Sequence, residues 1–166
     1  MMATKTLDDL FHDTLRDIYY AERKILAGLR KMSRAAKSKD LATAFEAHRE
    51  QTEVHVERLQ QVFEMIGKSP RGKTCPAIDG ILEEGSEVAE EYADSPALDA
   101  GLLAAAQAVE HYEITRYGTL RSWAGQLGLD QAVDLLGQTL AEESETDEVL
   151  TRLAETAVNE AAESRA

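Results

Sequence analysis

One cysteine, three prolines and ten glycines are all that the 166 residues hold of the types that staple or break a chain. With Cys75 alone, no intrachain disulfide can form and a thiolate zinc site is out of reach. So few breakers favour long helices over many short strands. Positive charge is also scarce. The 18 Lys and Arg face 31 Asp and Glu, a formal net charge of −13, which repels phosphate backbones and anionic headgroups, so neither nucleic acid nor membrane is an expected partner. No apolar run approaches the roughly eighteen residues of a membrane span. Met1-Met2-Ala3-Thr4-Lys5 does not lead into the apolar stretch of a signal peptide, and the chain reads as soluble and cytoplasmic. What is present is 43% hydrophobic residues, close to the globular norm, in a length that fits one domain, 1–166.

The apolar residues recur at helical spacing. Leu7, Phe11, Leu15, Ile18, Ile25, Leu29 and Met32 predict a first helix, with Thr6 and Asp9 as its capping pair. A polar break at 37–40 precedes a second helix through Leu41, Phe45, Val56, Leu59 and Phe63, ending before Gly67. The short link makes these two antiparallel neighbours. Residues 67–96 read as a crossover with a short helix over about Ile78 to Tyr92. Ser95-Pro96 then predicts the cap and first turn of a third long helix through Leu102, Ala106, Val109, Tyr117, Leu120 and Ala124. Gly128 ends it, and Asp130 opens a fourth with Leu136, Leu140, Leu150 and Ala157 on one face. The expected fold is all-α: a four-helix bundle with one long crossover carrying a short fifth helix.

The informative residues sit on the apolar stripes without being apolar. Glu22 falls between Ile18 and Ile25; His48, Thr52 and His55 occupy the middle of the second stripe. Glu113 lies between Val109 and Tyr117, with Glu110 one turn earlier, and Glu143 and Asp147 lie between Leu140 and Leu150. All are near mid-helix, so side-by-side packing brings them to one depth. Bare carboxylates in a bundle interior cost several kcal/mol each and repel one another. Five of them set against two divalent cations, with His48 and His55 as neutral nitrogen donors, point to a dinuclear site rather than a salt-bridge network. Oxygen-rich ligation with imidazole suits iron or manganese. The competing reading is a metal-free network of acids sharing protons, with the histidines as satisfied core residues.

Thr6-Leu-Asp-Asp-Leu-Phe, Tyr20-Ala-Glu22, His48-Arg-Glu-Gln-Thr52, Lys73-Thr-Cys-Pro-Ala-Ile-Asp-Gly-Ile-Leu-Glu-Glu and Ala105-Ala-Gln-Ala-Val-Glu110-His-Tyr-Glu113-Ile resemble the YciF-like stress-protein family of the ferritin-like superfamily. The resemblance implies a stress-induced bacterial protein, a rubrerythrin- or bacterioferritin-like bundle, a homodimer and a metal centre. Through it, Glu22 matches the first-helix glutamate, Glu110 and Glu113 the doubled pair of the third long helix, and Glu143 the fourth-helix glutamate. His48, His55 and Asp147 rest on stripe position alone. The Glu-x-x-His pattern usual in such sites is altered, since Thr52 precedes His55 by three and Thr146 follows Glu143 by three. The functions expected are therefore a di-metal protein that handles peroxide, dioxygen or iron, with Glu113 and one neighbour as bridging ligands, or a non-catalytic structural or interaction protein with a vestigial or absent site.

Overall fold

The structure, a computed structural model, describes residues 3–164. Met1 and Met2, part of the stretch read as lacking a signal segment, lie outside it, as do Arg165 and Ala166. Five helices dominate: α1 (Leu7–Ala35), α2 (Lys39–Met65), α3 (Pro76–Glu91), α4 (Leu98–Gln126) and α5 (Asp130–Leu153). A π turn (Ala154–Val158) and a short α6 (Asn159–Glu163) follow, and no strand occurs among the described residues. The all-α bundle expected from the spacing is what forms.

The ends have local causes. Thr6 and Asp9 make a reciprocal capping box at α1, and the Ser38 hydroxyl accepts from the Leu41 N–H at α2. After α2 and α4 the chain turns through Gly67 (φ 66°) and Gly128 (φ 70°), a left-handed conformation that costs glycine nothing. There the Lys68 and Leu129 N–H groups donate back to the carbonyls of Phe63 (3.0 Å) and Ala124 (2.9 Å).

Two expectations shift. Ser95-Pro96 forms a turn ahead of α4, which starts at Leu98; the Ser95 hydroxyl accepts from the Ala97 N–H at 3.0 Å. Ala157 is exposed and Val158 is buried in its stead, because the π turn inserts a residue into the helical phase.

α1 packs on α2 and α4 on α5; α2 meets α5 and α1 meets α4, which closes a square, while α3 crosses over α4 and α1. The crossover returns the chain to the α1–α2 turn, where the Asp99 carboxylate accepts from the N–H groups of Lys37 and Ser38, both at 2.8 Å. At the other end of the crossover, the Tyr20 hydroxyl donates to Asp79 at 2.8 Å. Phe11, Leu15, Phe45, Phe63, Leu102 and Leu120 fill the core among others, and the polar exceptions form a layer within it. No helix among the described residues is long and apolar enough to cross a membrane.

Candidate metal centre

Each of the four long helices delivers its exceptions to the same depth. Glu22, Glu113, Glu143 and His55 are fully buried, Glu110 is 1% exposed and His48 4%. Two overlapping groups result: His48 with Glu110, Glu113 and Glu143, and His55 with Glu22 and Glu143. Within each group one donor atom per residue lies within 4.8 Å of all the others. Glu143 is common to both. Its Oε2 is 3.6 Å from His48 Nε2 and its Oε1 is 2.8 Å from His55 Nδ1. The sequence expectation is Glu113 and one neighbour at the shared position; the geometry puts Glu143 between the two imidazoles.

Asp147 is not brought to the cluster. It is half-buried, accepts from Gln107 at 3.2 Å and faces the exposed His111 at 3.1 Å. One turn beyond Glu143 on α5, it has rotated past the bundle axis toward α4. Four carboxyls remain in the cluster, which would carry −4 if all were ionised, a charge that two divalent cations would neutralise.

The polar atoms of the cluster are largely unsatisfied. Glu22 Oε2, both His48 nitrogens, His55 Nδ1, Glu110 Oε2 and both oxygens of Glu113 and of Glu143 are buried without a hydrogen-bond partner. His48 Nε2 is 2.8 Å from Glu110 Oε1, yet the pair is not aligned as donor and acceptor. Close approach without alignment is what results when lone pairs address a common third point. Buried polar groups are otherwise almost always paired, so this donor set fits cations.

Burial and then the neighbouring Glu143 charge hold the carboxyls of Glu110 and Glu113 well above the usual range, and the same causes raise Glu22. Burial also pushes against an ionised Glu143, but the imidazoles of His55, 2.8 Å from its Oε1, and of His48 hold it below that range. Desolvation opposes a charged His55, and Glu143, Glu22 and Glu142 override it, so its pKa is raised. Without cations, the raised carboxyls of Glu22, Glu110 and Glu113 favour their protonated forms.

Around this layer stands a set of supports that stripe reading only partly found. His55 Nε2 is 2.8 Å from Glu142 Oε2, and Glu142 is gripped by Arg58 through two contacts at 2.6 and 2.9 Å. The signal was available, because Arg58 lies one turn after His55 and Glu142 directly precedes Glu143. Tyr117 donates to Glu22 Oε1. Tyr19, Tyr20 and Tyr112 make their hydrogen bonds elsewhere. Tyr19 accepts from Gln60, Tyr20 bonds Asp79, and Tyr112 donates to Asp17 at 2.9 Å beside the buried Cys75 thiol at 3.0 Å. Arg116 stacks over Tyr112 rather than entering the cluster. Thr52 and Thr146 turn their hydroxyls onto the carbonyls of His48 (2.8 Å) and Glu142 (3.1 Å) in their own helices.

Residues 6–163 match the family described as a domain of unknown function, DUF892. Protein YciF of Escherichia coli (strain K12) is 46% identical over 167 residues, covering 99% of this chain and 100% of that protein. Among solved structures, the E. coli stress protein YciF superposes with a TM-score of 0.89 at 44% identity, covering 94% of this chain and 99% of that one. YcfI from Rhodopseudomonas palustris, described as a candidate structural protein, superposes with a TM-score of 0.87 at 47% identity, covering 90% and 96%.

Proposed function

The chain belongs to the DUF892 family and is a homologue of the stress protein YciF, and from that premise we propose that it is a ferritin-like bundle that binds two divalent metal ions, iron or manganese. The observation that carries the reading is the row of buried, unpartnered nitrogen and oxygen atoms contributed by four helices to two groups sharing Glu143. Glu110, Glu113 and His48 would hold one ion, Glu22 and His55 the other, and Glu143 both. Bound there, iron or manganese supplies redox chemistry toward peroxide or dioxygen.

The chain's own residues prepare for that role. Glu142, anchored by Arg58, is placed to accept a proton from His55 Nε2, which would leave the Nδ1 lone pair for an ion in the cluster. Tyr117 ties up Glu22 Oε1 and orients the free Oε2 inward. Apolar side chains around the layer exclude water, so each carboxyl that gives up its proton remains close to its neighbours. The single-domain organisation, the homodimer and the cytoplasmic location belong to the same proposal.

The test is metal analysis of untagged protein, followed by anaerobic Fe(II) addition and exposure to peroxide. Two ions per chain and rapid oxidation are expected. Glu113→Ala should abolish uptake at its group, and full stoichiometry in that variant would defeat the assignment. A second reading, a non-catalytic structural protein, draws on Thr52 and Thr146 and on the description of the R. palustris relative. Substoichiometric metal without turnover would select it.

A further inference from the structure

Between α2 and α5 a cavity of about 260 Å³ opens on the surface, with Ala44 and Ala47 on one wall, Thr146 and Glu145 on the other, and His48 against it. His48 is the most exposed member of the cluster, and its buried Nδ1 has no partner. Its Nε2 lies on the carboxylate side, 2.8 Å from Glu110. One imidazole thus separates a water-sized groove from the buried acids. The walls are small alanines, and the only bond across the groove between its lining side chains is a 3.3 Å contact from the Thr146 hydroxyl to Gln51 Oε1. The lining includes Glu142 and Glu145 and no Lys or Arg.

A second, larger cavity of about 490 Å³ lies between α1, α3 and α4 and reaches Val109, the neighbour of Glu110. It is walled mainly by apolar groups and carries Lys24 and Lys31 against one acid, Glu90, a positive balance that opposes an approaching cation.

We propose that the α2–α5 groove is the port through which divalent cations reach the cluster, with His48 as the first ligand they meet. The inference rests on the metal-binding reading above. A hydrated ion fits the groove, because the space admits several waters, and Glu145 at its edge adds attraction that salt screens.

The experiment follows uptake of Co²⁺ by metal-free protein in stopped flow, reading the visible absorbance of the bound ion and its final stoichiometry. The double variant Ala44→Leu/Ala47→Leu narrows the groove without replacing a ligand; Ala89→Leu narrows the other cavity. The double variant is expected to reach the wild-type stoichiometry about tenfold more slowly, a size typical of lost access and steering. Ala89→Leu is expected to match the wild type. Glu145→Gln is expected to be slower at low salt and equal at high salt. An unchanged rate in the double variant, a lowered final stoichiometry in it, or slowing in Ala89→Leu would overturn the port. Wild-type protein that takes up no Co²⁺ would overturn the metal reading and the port together, whereas normal uptake insensitive to the groove would overturn the port alone.

Discussion

Glu142 touches no atom of the acid layer's carboxyls, yet it governs the histidine that faces them. The Arg58 hydrogen bond holds its carboxyl below the usual range, so it is an anion across neutral pH and is placed to hold a proton on His55 Nε2. Glu142→Gln removes that anion and lets Nδ1 carry the proton, which blocks the lone pair a metal needs. Loss of such an outer support costs about 10- to 100-fold in metal affinity. A competition titration against a chelator of known strength checks this, and an affinity unchanged within twofold would show that His55 does not ligate. The two threonines make the opposite point. At Thr52 and Thr146 the pattern expected of the superfamily was absent from the sequence, and the structure shows those hydroxyls satisfied by their own helices. His48 and Glu143 are set so that the cluster closes without them.

At the scale of an element, helix identity was legible because the 3.6-residue period is local: α1, α2 and α3 begin at a recognisable cap or proline, and α2 and α4 stop ahead of glycine. The start of α4 was not, since Ser95-Pro96 is as good a turn as a cap and the choice depends on Asp99. That residue joins α4 to the α1–α2 turn, satisfying two N–H groups at once. Asp99→Ala should destabilise the protein by about 1–2 kcal/mol, the scale of a lost cap, and lower the thermal midpoint without changing metal stoichiometry. Gly128→Ala should cost about 1 kcal/mol, the penalty of a left-handed turn for a residue with a Cβ. Chemical denaturation measures both. A Gly128→Ala variant as stable as the parent would mean that the turn relaxes out of its left-handed form.

For the whole molecule, the net charge of −13 and the buried acids together set the response to pH. Glu22, Glu110, Glu113 and His55 have pKa values raised by folding. Their stabilising contribution is therefore complete below their unfolded values and is lost as pH climbs through the folded ones. Glu142 and Glu143 are lowered and act in the opposite direction, losing their contribution as pH falls. Metal-free protein should consequently melt higher at about pH 5.5 than at about pH 8.5. Bound metal would reverse the trend, because ions bind the deprotonated acids and release their protons. Calorimetric titration in two buffers of different ionisation enthalpy should register more than one proton released per chain. A melting temperature for the metal-free protein that rises steadily with pH would mean the acids are already ionised.

The same scale separates what was written in the chain from what folding added. The sequence alone determined that four long helices form, that a crossover separates the pairs, and that Glu22, His48, His55, Glu110, Glu113 and Glu143 interrupt otherwise apolar stripes, because periodicity and capping act over neighbouring residues. Only the tertiary structure decided that Asp147 leaves the cluster, that Glu143 takes the shared place and that Glu142 and Arg58 stand behind His55. Those outcomes depend on how far each helix is rotated about its axis against its neighbours, a quantity set by packing across the bundle that no local spacing records.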